Sequence, residues 1–107
     1  RGDLDLIVLQ ALARMGPLHA YALSSRLEQV SEHPFSLNQG TLYPVLLKLT
    51  QEGSIASEWG ASENNRKARF YKLTRQGRKQ LQAEARFWEQ TTTIMERFFA
   101  AKAEDLQ

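Results

Sequence analysis

Apolar positions along the chain recur first with a helical period, then alternate, then return to a helical period. In residues 4–13, Leu4, Ile7, Val8, Ala11 and Leu12 form one stripe, which Gly16-Pro17 ends. Residues 19–30 carry a second stripe, with Ala20, Leu23, Leu27 and Val30 as the positions predicted to be buried. Pro34 breaks the connection that follows. Ser36-Leu37-Asn38-Gln39 then has the form of a capping box, in which hydroxyl and amide side chains satisfy backbone N–H groups at a helix start. The third helix runs to about residue 51, with Leu42, Val45, Leu46 and Leu49 at i, i+3, i+4 and i+7. Pro44 lies inside it, removing one hydrogen bond and pressing on the carbonyl of Gly40. Because Gly40 has no side chain, its backbone is freer to adjust, so the helix is kept with room for a bend.

After Gly53 the period switches to alternation. Ile55, Ser57 and Trp59 fall on one face of a strand, with Ala56 and Glu58 on the other. Residues 60–67 are polar and turn-forming, and Arg69, Tyr71 and Leu73 share a face on the return strand. Two strands joined by a polar tip make a hairpin. Trp59 is expected to pack beneath it. Thr74 is a good helix cap, and nothing interrupts the helical pattern from there to about residue 101. Such a helix is roughly 40 Å long, too long for so small a domain to cover. Leu81, Ala85, Trp88, Met95 and Phe99 line up at heptad-like spacing, with Phe87, Ile94 and Phe98 beside them. Left exposed, that stripe would be costly. The first helix is expected to pack against it and a second subunit to complete its burial. The fold class is therefore mainly α with a small β-hairpin. A winged helix-turn-helix spans residues 1–73, and a long C-terminal dimerisation helix spans 74–107.

Composition narrows the function. With 107 residues the chain is one small domain, and its 24% charged and 42% hydrophobic residues are ordinary for a soluble protein. It has no cysteine, hence no disulfide framework and no cysteine-ligated zinc site. It has no apolar run of about 18 residues, so no membrane span is expected. The chain reads as cytoplasmic. Its formal charge is only +2, but the distribution is uneven. Residues 1–37 hold three basic and four acidic side chains, residues 38–82 eight and three, and residues 83–107 three and five. The positive surplus therefore sits on the third helix, the hairpin and the start of the long helix. A local basic surface of this kind displaces counterions from phosphates.

The third helix presents Gly40, Pro44, Leu47 and Gln51 on its outward side, with Thr41 and Lys48 on one flank and Tyr43 on the other. A small, smooth face edged by hydrogen-bonding and cationic groups suits a DNA groove. Gln39, Thr41 and Tyr43 are the candidates for its groove-facing end. Asn38, at the helix start, can contact DNA or simply cap the helix. Lys48, Arg66, Lys67 and Arg69 are candidate phosphate contacts, supplying affinity more than sequence information. A two-fold dimer would present two such helices to a palindromic site. The only histidines are His19 and His33, neither in a metal-binding spacing, and no nucleophile elbow or phosphate-cradling loop is present. An enzyme is therefore not expected, nor a metal or other cofactor. His19 reads as the start of the second helix. The alternative to DNA binding is a winged helix used for protein–protein assembly, which would call for a neutral or acidic third helix and hairpin.

Two motifs carry a resemblance: Gly40-Thr41-Leu42-Tyr43-Pro44-x-Leu46-x-x-Leu49-x-x-x-Gly53-x-Ile55 and Tyr71-Lys72-Leu73-Thr74-x-x-Gly77. From about residue 6 to 99 the chain resembles the PadR family of bacterial transcriptional regulators, specifically its short members with a single C-terminal helix. It departs from the family pattern at Lys48, where arginine is usual, at Thr50, where an acidic residue is usual, and at Ala68, where a wing arginine is usual. The resemblance implies a dimeric repressor on an inverted-repeat operator. It also implies that a small aromatic or planar molecule can act as an effector near the dimer interface. Trp88 matches a position where relatives carry a tryptophan, with Phe87 its neighbour and Met95 two turns away. Together with Leu81 and Phe99 these form the expected dimer interface. Two readings of Trp88 stay open: dimer core alone, or dimer core that also takes a ligand.

Overall fold

Among the described residues, 3–31 and 39–101 of the computed structural model, the elements follow in the order α1 (Asp3–Met15), β1 (Leu18–His19), α2 (Ala20–Ser31), α3 (Gln39–Gln51), β2 (Ile55–Ala61), β3 (Lys67–Leu73) and α4 (Arg75–Ala100). The capping-box residues Ser36, Leu37 and Asn38, together with His33, lie outside them.

α1 is the central helix. It packs against α2, α3, β3 and α4, so it buries more than one stripe. Leu9 is fully buried beside the expected Val8, Ala11 and Leu12, and even Asp5 is almost inaccessible. Across from it, Leu23 and Leu27 of α2 and Leu42, Leu46 and Leu49 of α3 complete the apolar layer. Burying that many leucines contributes on the order of 2 kcal/mol per side chain. Gly16 at φ +80° caps α1, donating its N–H to the Leu12 carbonyl at 3.1 Å. Gly53 at φ +83° turns the chain out of α3 into β2. Both occupy the left-handed region that glycine enters without a Cβ penalty. α3 continues through Pro44, as expected.

The sheet has three antiparallel strands in the order β1-β3-β2. β2 and β3 form the hairpin, with Ile55 opposite Leu73, Ser57 opposite Tyr71 and Trp59 opposite Arg69. The short β1 pairs Leu18 with Tyr71 and His19 with Phe70. That strand goes beyond the sequence reading, since two residues are too short to show alternation. His19 is both a strand residue and the cap of α2, its Nδ1 accepting the Ala22 N–H at 3.1 Å. Its ring meets Phe70 edge-on at 5.3 Å between centroids.

Two expectations about the core are corrected. Val30 is 70% exposed, because the last turn of α2 overhangs the apolar layer and rims an open groove instead. Trp59 is 57% exposed. It shares a face with the buried Ile55 and Tyr71, but the hairpin carries that face outward beyond the core before it reaches the tryptophan.

α4 starts inside the molecule. The Thr74 hydroxyl accepts the Gly77 N–H at 3.1 Å, capping the helix, while its own proton faces the carbonyls of Gly53 at 2.6 Å and Ser54 at 2.9 Å. Gln76 Nε2 donates to the Glu52 carbonyl at 2.8 Å. Gly77 lies so close to this turn that a Cβ there would fall 2.0 Å from the Ser54 oxygen. Leu81, one turn on, is buried in the core of this chain. Beyond it, α4 projects outward with its apolar residues uncovered. No helix among the described residues is long and apolar enough to cross a membrane.

Candidate nucleic-acid interface

α3 is held by the leucines on its inner face, which leaves the opposite side outward. Thr41, Tyr43, Pro44 and Leu47 are all exposed there, Tyr43 by half. Of Gln39 only the backbone is described, as the first residue of α3, and Asn38 lies outside the described residues. Lys48 is half-exposed on α3 and has an ion-pair partner. Its Nζ donates to the buried Asp5 carboxylate at 2.7 Å, fastening α3 to α1. Asp5 gave no signal in the sequence, because an acidic residue in the first turn of a helix is ordinarily solvated.

Arg66, Lys67 and Arg69 are exposed on the hairpin. Asn65, at φ 58°, turns the tip, its N–H bonded to the Ser62 carbonyl at 2.8 Å. Lys67 and Arg69 project from one face of β3, and each lies 4.8 Å from the centre of the Trp59 ring. Arg69 also donates to Ser57 Oγ at 3.3 Å. Sequence reasoning missed this cluster, although the cross-strand register of a hairpin contains it. On the opposite face Lys72 lies 3.8 Å from Glu58, an exposed pair of little energetic weight.

Tyr71 of β3 is buried in the core, and its ionisation is shifted. Burial pushes the phenol above its ordinary value, the nearby Tyr43 hydroxyl raises it further, and the Arg69 guanidinium pulls it down. Thr41 and Tyr43 are thus exposed on α3 and Arg66, Lys67 and Arg69 on the hairpin, while Lys48 is half-exposed and paired with Asp5.

The second group of expected site residues lies elsewhere. Phe87, Trp88, Met95 and Phe99 are exposed along α4, whereas Leu81 belongs to the core of this chain. Trp88 rims an open apolar groove of about 610 Å³, lined also by Leu6 and Ile7 of α1 and Leu27 and Val30 of α2. Among the described residues no His, Cys, Asp or Glu cluster is arranged to hold a metal ion.

A helix-turn-helix followed by a three-stranded sheet with a protruding hairpin defines a winged-helix domain. Residues 8–83 match the PadR-like transcriptional regulator family, and the chain belongs to that family. Its members are transcriptional regulators rather than enzymes, in agreement with the absence of a catalytic pattern in the sequence. A PadR-like transcriptional regulator from Bacillus cereus superposes with a TM-score of 0.79 at 25% identity, over 92% of this chain and 93% of that one. PadR of Bacillus subtilis, solved in complex with operator DNA, superposes with a TM-score of 0.66 at 28% identity, over 77% of this chain and 47% of that one. A 37.1 kDa protein of a Streptomyces fradiae transposon is 39% identical over 83 residues, 78% of this chain but 22% of that protein.

Proposed function

We propose that this protein is a cytoplasmic, sequence-specific DNA-binding repressor that acts as a homodimer on an inverted-repeat operator. The observation that carries the proposal is the outward face of α3, with Thr41 and the half-exposed Tyr43, on a domain whose hairpin carries the exposed cations Arg66, Lys67 and Arg69. In that arrangement α3 enters the major groove. Gln39, Thr41 and Tyr43 stand at its reading end, while Arg66, Lys67 and Arg69 meet the flanking phosphates. Asn38 joins the reading end by its place in the sequence. The wing's exposed cations speak against the protein-assembly alternative, since a neutral partner surface would leave them unmatched. The Bacillus subtilis relative, solved in complex with operator DNA, supports DNA as the partner.

Dimerisation through α4 follows from its uncovered row of Phe87, Trp88, Ile94, Met95, Phe98 and Phe99. The groove beside Trp88 lies next to that row, and a partner chain laid along α4 would roof it. A small planar aromatic effector fits such a place, stacking on Trp88. It would regulate only through different affinities for two dimer geometries. Such coupling is reciprocal: effector lowers DNA affinity, and DNA lowers effector affinity by the same factor.

Selection of genomic DNA fragments by the purified protein at two salt concentrations tests the proposal. Enrichment of one inverted repeat that survives the higher salt is the expected result. Sequence-blind binding that disappears with salt would overturn it.

A further inference from the structure

Trp59 is the exposed indole of the wing, and its surroundings are built. The β2–β3 register sets Arg69 directly across from it and Lys67 one pleat further toward the tip, all on one face. Both cations approach the ring to 4.8 Å. Glu58, the adjacent carboxylate, is turned to the opposite face beside Lys72 and does not compete for them. A single exposed aromatic is ordinary on a protein surface, and what sets this one apart is the pair of cations on its ring. Here the ring's π face organises two side chains that otherwise sample many rotamers. A guanidinium or ammonium drawn to a ring keeps N–H donors available for a phosphate.

We propose that Trp59 is a DNA-contacting and positioning residue. Its indole packs on the sugar edge of the duplex backbone and holds Lys67 and Arg69 toward the neighbouring phosphates. This rests on the reading of the wing as a DNA-binding element and adds a residue to it. A basic hairpin without the indole would bind phosphates through flexible side chains, at an entropic cost for ordering each of them. With the indole, much of that cost is met before DNA arrives.

The test compares Trp59→Phe and Trp59→Leu with the wild-type protein on a duplex carrying the selected operator. Phenylalanine keeps a π face, while leucine keeps only apolar volume. Phe is expected to retain affinity within about threefold. Leu is expected to weaken it about tenfold and to lower the salt slope by about one ion, both at unchanged melting temperature. In the Leu background, Lys67→Ala then costs less than it does in the wild type. Trp59 and Trp88 are the two tryptophans, so the change in emission on adding the duplex is expected to vanish in Trp59→Phe while binding persists. If the wild type binds and Trp59→Leu matches it, the role of Trp59 is overturned and the wing reading survives. If Phe and Leu lose affinity together with melting temperature, the indole is only a packing residue. A wild type that binds no DNA overturns the wing reading as well.

Discussion

The two halves of α4 follow one amphipathic pattern yet live in different environments. In the first half Gly77 presses against the Ser54 carbonyl, Thr74 and Gln76 bond the turn that ends α3, and Leu81 is buried. In the second half the same stripe continues through Met95 and Phe99, which are 51% and 82% exposed. A period identifies which face of a helix is apolar. It does not identify what covers that face. The first half is covered by this chain, and the second is not. The covered half also bonds the turn that follows the helix proposed to read DNA.

The comparison is broken most easily at Gly77. A Cβ there meets backbone, and backbone cannot swing aside as a side chain can. Gly77→Ala is expected to destabilise the chain by at least about 3 kcal/mol, despite alanine's better helix propensity. Urea unfolding checks this, and a loss below about 1 kcal/mol would mean that the junction is looser than described. Leu81→Ala comes next, at about 2–4 kcal/mol, because it opens a cavity where α1 meets α4. Thr74→Ala is smaller, about 1 kcal/mol for the lost cap. It should also raise amide exchange at Gly77 before that of the strands, which hydrogen exchange would resolve.

These effects bear on what the sequence could tell. The stripe of Leu42, Val45, Leu46 and Leu49, the hairpin and the Thr74 cap were legible, because each depends on neighbours within one or two turns. The hidden parts depend on contacts between distant segments. Leu9 is buried because α1 is enclosed on several sides, and Lys48 is engaged because Asp5, 43 residues away, lies beneath it. Gly77 belonged to a recognised motif, but its physical reason is a carbonyl 23 positions earlier in the chain. Alternation puts Trp59 on the face that Ile55 and Tyr71 share, as the structure does, but Trp59 lies exposed rather than packed beneath the hairpin. Alternation gives the face of a strand, whereas burial also depends on how far the hairpin extends beyond the core. Among the candidate site residues, the wing cations were visible as charge and their gathering around an indole was not.

The outer half of α4 sharpens the contrast by having the least effect on the single chain. Met95→Lys together with Phe99→Lys replaces two exposed apolar side chains with solvated ones. Surface substitutions of that kind ordinarily shift stability by less than about 0.5 kcal/mol. Sedimentation should nonetheless show a dimer becoming a monomer, since those side chains form the proposed contact between chains. Unfolding must be compared at concentrations where both proteins are monomeric, because a dimer's apparent stability rises with protomer concentration. If the double variant unfolds much more easily under those conditions, the outer half is already packed on its own chain and the division of α4 fails. If it remains dimeric with unchanged stability, the division stands, but the covering surface lies elsewhere. The groove beside Trp88 would then be the next place to substitute.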